Sequence, residues 1–357
     1  MKFDYDVVVV GGGIVGGSVA FHLAEAGRSI LVVDRAFPAS GTSGATQSWV
    51  WVHTKSPPFY GEFNHLSAMM YPDFEKRLGA DIEYQRTGGI SLLFTPGEVE
   101  KARELVERQR AVGIDVSLLT REEILSLEPA VSPDVLGATY SPADGNVNSL
   151  RLVFAVMRAN QARGVTYWTY TAVTGMELTD GGVQVHTERG SVTARQVAIC
   201  GGPWAPELGA MLGIRIPVRP VRGQVLVTEP LAPLIRHTMV GMRQAVNGEM
   251  LIGFSYEEVG YDKGNSLAPM LEGARLAQRM VPALAAAHVV RCFSGLRAMP
   301  QDGLPILGPV PGKPGVFVAA LHSGFTLAPL VGTLMAEVMC GEEPSVPMEP
   351  YSITRFG

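Results

Sequence analysis

At 357 residues, with 46% apolar and 18% charged residues and a net charge of −5, the chain exceeds one ordinary core and excludes both a disordered segment and a polyanion-binding protein. Cys200, Cys292 and Cys340 are far apart, lack CxxC spacing and sit in largely apolar stretches, which predicts buried thiols in a reducing compartment. No apolar run approaches the roughly 20 residues that span a bilayer, so a soluble, cytoplasmic protein without nucleic-acid partners is expected.

Lys2 ahead of the apolar run 7–10 imitates the start of a signal peptide, but glycines follow at strand-turn-helix spacing and predict a folded strand over residues 6–10. Gly11, Gly13 and Gly16 form GxGxxG. Gly11 serves the tight turn, Gly13 lets a pyrophosphate approach the backbone, and Gly16 lets helix and strand pack closely. The helix opening at Ile14 and Val15 turns its free N–H groups toward phosphates, with Ala20, Leu23 and Gly27 completing its pattern. A second buried strand over 29–33 ends at Asp34 and Arg35, where a carboxylate can accept hydrogen bonds from ribose hydroxyls and would repel a 2′-phosphate. The motif predicts a dinucleotide and by itself does not separate FAD from NAD; a ligand-free glycine turn is the bland alternative.

Residues 40–48 are small and polar. From about Gly79 the texture changes: a strand over 90–94, a charged helix over 98–112, a helix over 150–163, alternating runs at 165–171 and 183–187, and an apolar strand 197–200 that returns to the first sheet. Strands alternate again over 218–253, with turn residues Asn247 and Gly248, before a helix over 268–280. Near the end, a Ser-Gly turn enters a helix from about Thr326, so that N–H groups of Ser323 to Leu327 can point at one acceptor; Pro329 is placed in the first turn. The pattern predicts an α/β protein with a Rossmann-like nucleotide domain (1–78, 145–215 and 290–357) and an α+β substrate domain on a mainly antiparallel sheet (79–144 and 216–289).

Four segments carry a resemblance that runs nearly end to end: the opening β-α-β unit; residues 40–48, with Thr42, Ser43, Ala45, Thr46, Gln47 and Ser48; residues 197–204, with Gly201 and Trp204; and residues 294–309 followed by 320–329. On these the chain resembles the FAD-dependent D-amino-acid oxidase and glycine/sarcosine oxidase family, including amine, opine and hydroxyproline dehydrogenase catalytic subunits. The resemblance implies FAD along the small-residue loop, with Val173, Gly201 and Trp204 at the cofactor and Ser323, Gly324, Phe325, Thr326 and Leu327 at the N1/C2=O edge of the ring, where charge collects on reduction. It implies non-covalent attachment, because Ala45 stands where some members carry a flavin-linked histidine and no cysteine lies at the C-terminal signature.

It also places Arg297 at a substrate carboxylate, which a planar guanidinium can hold by two parallel hydrogen bonds; an ion pair with Asp302 or another acid is the structural alternative. His322 can touch flavin or substrate, or only cap the helix. Tyr256, Arg243 and Gln244 fall in strands resembling those that roof the flavin, and Trp49, Trp51 and His53 share a strand face that lines either the pocket or the core. The implied reaction is hydride transfer from the carbon beside an amine nitrogen to flavin N5, giving an imine, with the protein supplying position and electrostatics. Three other readings stay open: a catalytic subunit passing electrons to a partner protein rather than to O2, in a homo- or hetero-oligomer; a 2-hydroxy-acid dehydrogenase with His53 or His322 as base; and a non-catalytic nucleotide module.

Overall fold

The structure, a computed structural model, describes residues 3–357, so Lys2 lies outside the described residues. Two eight-stranded sheets organise the chain. The first has the core order Ile306–Pro309, Val316–Ala320, Gly190–Ile199, Tyr5–Val10, Ile30–Val33, Thr166–Trp168. Its strands are parallel apart from Ile306–Pro309, and Gly182–Thr187 and Val173–Thr179 extend antiparallel from Gly190–Ile199. Val7–Val10 and Ile30–Val33 are buried on both faces, which is why they read as unbroken β-branched runs rather than alternating ones. Helices Ile14–Glu25 and Gly324–Cys340 cover one face, crossing where Gly332 leaves no Cβ to collide with His22 and Ser18.

The second sheet runs Val289–Pro300, Val218–Pro230, Glu249–Ile252, Met242–Gln244, Thr238–Met239, Gly89–Leu93, Gly137–Ser141, Ser117–Thr120. It is antiparallel except where Thr238–Met239 meets Gly89–Leu93. Strand Val289–Pro300 pairs with Val218–Pro230 from Val289 to Pro300, so the boundary expected at 290 falls inside a strand. Local alternation could not reveal which sheet this strand joins, because that depends on a partner about 70 residues earlier. The segment bearing Arg297 therefore belongs to the second sheet.

Expected helices over 98–112, 150–163 and 268–280 appear as Pro96–Ala111, Ser149–Ala162 and Leu267–Met280. Helices Pro58–Met69 and Tyr71–Leu78 lie in a stretch for which the sequence pattern predicts no element. Of the cysteines only Cys200 is buried; Cys292 is exposed on an edge strand and Cys340 is half-buried beside Arg28, which corrects the expectation of three buried thiols. No helix among the described residues is long and apolar enough to cross a membrane.

The last long helix begins at Gly324, two residues before the expected start, so Pro329 sits in its second turn. Proline offers no N–H to the carbonyl of Phe325 four residues back. The Tyr71 hydroxyl donates to that carbonyl instead. Removing this donor in Tyr71→Phe leaves a buried carbonyl unpaired and is expected to lower stability by about 1–3 kcal/mol, read from the midpoint of urea unfolding.

Candidate active site

Val10, Val33 and Ile199 are in register across three parallel strands, so Gly11, Asp34 and Cys200 leave the sheet side by side at its carboxyl end. That is where an open α/β sheet presents a crevice. A cavity of about 750 Å³ opens there and continues beneath the second sheet to Arg297 and His322. Gly11 holds φ +113°, and a Cβ on it would lie 2.5 Å from the Cys200 carbonyl oxygen; one on Gly16 would lie 1.9 Å from the Gly11 carbonyl oxygen. The helix behind Gly13 carries no side-chain cap, while Ser43 Oγ accepts from the Ile14 N–H at 3.0 Å. Asp34 accepts from Gly12 N–H (2.7 Å) and Ala36 N–H (2.9 Å) on different oxygens, which leaves each oxygen a lone pair for a sugar hydroxyl. Arg35 lies 4.0 Å over the Trp204 ring.

These residues fit an extended dinucleotide. The turn would close if either glycine gained a Cβ, the helix end presents donors, and the carboxylate stands beyond it. The loop from Ser40 to Ser48 lines the middle of the cavity. It is held against the second sheet by Thr42 Oγ1 donating to the Leu296 carbonyl at 2.5 Å and by Gln47 Nε2 donating to the Gly241 carbonyl at 2.9 Å.

At the inner end, Gly223 and Gly295 face each other across the strand pair. A Cβ on Gly295 would strike the Ala45 carbonyl oxygen at 2.1 Å, and one on Gly223 would come within 2.6 Å of both terminal nitrogens of Arg297. The two glycines form a window: the loop backbone enters on one side and the guanidinium folds over the other. Arg297 Nη1 donates to the backbone carbonyls of Ser255 (3.1 Å) and Arg222 (3.3 Å). Among the described residues no carboxylate pairs with it. Asp302, the expected alternative partner, is taken by Arg355 at 2.7 and 3.1 Å, and Glu257 is taken by Arg222. Burial lowers the Arg297 pKa, yet a guanidinium stays charged, so the cavity holds a cation awaiting an anion.

Lys55, absent from the sequence-based candidates, also lines this end. Its ammonium donates to Ser323 Oγ at 2.6 Å, and Ser323 Oγ lies 2.9 Å from His322 Nδ1. Burial lowers the Lys55 pKa to about 8, against a raising influence from Asp144. Burial, with Lys55 and Arg297 nearby, drives His322 down to about 3. His322 is thus neutral at working pH, with Nδ1 placed to accept from the Ser323 hydroxyl, whose oxygen accepts a hydrogen bond from the Lys55 ammonium. Ser323 itself holds a left-handed backbone at φ +62°, a conformation uncommon outside glycine that here sets the helix start against the cavity.

Because the unfolded histidine takes a proton below about 6.5 and the folded one only near 3, this residue lowers stability as pH falls from 6.5 toward 3; His22, pushed by burial to about 4, acts in the same sense. His322→Gln should therefore flatten the acid side of a stability-versus-pH curve, measured by urea unfolding at pH 6.5 and 4.5.

Among the expected site residues, Gly11, Gly13, Ile14, Val15, Asp34, Arg35, Thr42, Ser43, Ala45, Thr46, Gln47, Ser48, Val173, Gly201, Trp204, Tyr256, Arg297, His322, Ser323, Gly324, Phe325 and Thr326 line the cavity. Gly16 does not line it and acts by close packing against Gly11. Leu327 is buried in the core and its N–H donates to the Ser323 carbonyl at 3.0 Å, so it is not free for a ligand. His53 is fully buried outside the cavity. Its Nδ1 pairs with Asp144 and its Nε2 lies 3.0 Å from Thr139 Oγ1, while Trp49 and Trp51 of the same face do line the cavity. Arg243 is structural, with Nε donating to the Gln47 carbonyl at 2.5 Å and Nη1 to Asn146 at 3.2 Å. Gln244 ties together backbone groups of residues 231–235 and Gly248. Tyr256 stands at the rim, half exposed.

A family model described as FAD dependent oxidoreductase matches residues 6–338. Glycine oxidase of Geobacillus kaustophilus is 30% identical over 369 residues, covering 99% of this chain and 98% of its own. An opine oxidase subunit of Agrobacterium tumefaciens is 32% identical over 366 residues, with 99% and 98% covered. The crystal structure of glycine oxidase from Geobacillus kaustophilus superposes with a TM-score of 0.94 at 30% identity, covering 99% of each chain.

Proposed function

The chain belongs to the FAD dependent oxidoreductase family, and from that premise we propose that it oxidises the C–N bond of an amino acid whose carboxylate is held by Arg297. FAD, when bound, supplies the two-electron acceptor. Gly11, Gly13 and the start of helix Ile14–Glu25 would hold its pyrophosphate, Asp34 its adenosine ribose, the loop from Thr42 to Ser48 the ring, and Ser323 to Thr326 the pyrimidine edge. Gly223 gives Arg297 its position, so the guanidinium can fix a carboxylate in one orientation and with it the adjacent Cα–H.

The two cations have a second effect. Among the described residues no acid pairs with Arg297 or Lys55, and a positive field disfavours a bound ammonium, so a substrate amine sheds its proton more readily there. The lone pair that assists C–H cleavage becomes available without a protein base. The observation that carries the reading is the unneutralised Arg297 guanidinium facing the cavity. Anaerobic titration with D-, L- and N-alkyl amino acids tests it: bleaching of the yellow absorbance by at least one of them is expected, and none bleaching it would sink the reading.

The hydroxy-acid alternative draws less support, since His53 lies outside the cavity and burial beside Lys55 and Arg297 drives the His322 imidazole down to about 3. A second reading, a catalytic subunit that hands electrons to a partner protein, draws support from the identity to the Agrobacterium opine oxidase subunit. Exposed Val289 and Val290 on an edge strand of the second sheet are compatible with it. Substrate-reduced protein exposed to air decides: peroxide formed at the rate of turnover supports an oxidase, and slow reoxidation supports electron transfer to a partner.

A further inference from the structure

Helix Pro58–Met69 has two unlike faces. Tyr60, Phe63, Asn64, Ser67 and Ala68 turn inward and are buried, and the Ser67 hydroxyl accepts from the Leu330 N–H of helix Gly324–Cys340 at 3.3 Å. On the outer side Phe59, Glu62, Leu66 and Met69 recur at intervals of three, four and three residues, which puts them on one face. Phe59, Leu66 and Met69 are 41%, 45% and 37% exposed, so nothing among the described residues covers them. The spacing is that of a two-heptad seam, the pattern by which one helix packs on another. A contiguous apolar stripe of this kind marks an interaction surface.

The charges at the seam say what kind of partner it fits. Glu62 is exposed and forms no salt bridge among the described residues, and neither does the exposed Arg86, whose Nη1 lies 3.5 Å from Met69 Sδ. Asp73 and Arg77 nearby, by contrast, are paired with each other at 3.6 Å. Within one chain the Arg86 guanidinium is held at the Met69 end of the seam, seven residues or about 10 Å along the axis from Glu62. A second copy related by a two-fold axis through the middle of the seam reverses the helix direction, setting Met69 opposite Phe59 and Leu66 opposite Glu62. Each guanidinium then arrives beside the other copy's carboxylate. Two charges left open by one chain are closed twice in the pair.

We infer that this helix face is an isologous interface between two copies of the chain, helix antiparallel to helix, with Glu62 of each copy paired to the partner's Arg86. The inference does not depend on the substrate reading, since none of these residues lines the cavity.

Sedimentation of the FAD-loaded protein at about 1–100 µM tests it, a range suited to a small interface. A dimer, or a multiple of one, is expected. Leu66→Glu buries a charge in the seam and should halve the particle mass at equal concentration, raising the dissociation constant at least about 10²-fold. Glu62→Arg and Arg86→Glu each set like charges face to face twice and should weaken association at least about 10-fold. Mixing those two single variants should restore it, because in the mixed dimer every arginine again meets a glutamate. The flavin-to-protein absorbance ratio and far-UV circular dichroism, unchanged in all three variants, separate loss of association from loss of fold. A monomer throughout the concentration range overturns the inference and leaves the seam to a different protein. So does an assembly that Leu66→Glu leaves intact, or a pair of single variants that stays apart on mixing.

Discussion

Arg297→Met is expected to weaken binding of amino-acid carboxylates by about 10²- to 10³-fold while FAD remains bound, since truncating one partner of a buried, hydrogen-bonded charge pair costs about 2–5 kcal/mol. The loss should appear in the substrate dissociation constant from anaerobic titration, with the flavin-to-protein absorbance ratio unchanged. Gly223→Ala provides the control for position. Its Cβ would lie 2.6 Å from both terminal guanidinium nitrogens, so the head group must move, and a displacement on the order of 1 Å costs up to about 10²-fold. If Gly223 acts only through Arg297, the double variant is no weaker than Arg297→Met alone. Unchanged carboxylate affinity in Arg297→Met would make the arginine a prop for the Ser255 and Arg222 carbonyls and remove the main support for the proposed activity.

Gly16→Ala is expected to yield protein without FAD. The added carbon would sit 1.9 Å from the Gly11 carbonyl oxygen and 3.0 Å from Cys200 Cβ. The oxygen and its carbonyl carbon are main chain of the turn that leaves a central strand, so the helix start must back away from the sheet. That shift removes the helix N-terminus from the phosphates, and loss of several backbone donors plus the dipole corresponds to at least about a 10²-fold weakening. Absorbance after gel filtration measures retention, and circular dichroism separates a folded apoprotein from a misfolded chain. A folded Gly16→Ala protein that keeps its yellow colour would show that the turn is not the phosphate site.

Much of this site was legible in the residues because its parts are local. Gly11 to Asp34 is one β-α-β unit whose glycines are dictated by contacts within the unit, and the Ser-Gly turn before helix Gly324–Cys340 is likewise a short-range feature. What escaped depends on partners far along the chain. His53 reads as a pocket residue on strand alternation, yet Asp144 and Thr139, about 90 residues away, draw it into the core. Lys55 carries no motif; only the fold brings it to Ser323. Gly223 looks like any strand glycine until the Val221–Arg297 pairing puts a guanidinium over it. Arg222, which ties the roof to Glu257, Asp262 and Ser266, escapes notice for the same reason. Cys292 sits in an apolar stretch that proves to be exposed, since hydrophobic sequence does not specify which face of an edge strand is covered.

The first sheet has a consequence for biosynthesis. Its central strand Tyr5–Val10 waits for Gly190–Ile199, and that strand in turn for Val316–Ala320, before helix Gly324–Cys340 can seal the crevice. A nascent chain leaving the ribosome therefore exposes a two-sided apolar strand until residues 190–199 have emerged, and the nucleotide can be gripped at both ends only once helix Gly324–Cys340 is also free to pack. Truncation near the carboxyl terminus should be as damaging to cofactor loading as a change in the opening glycines.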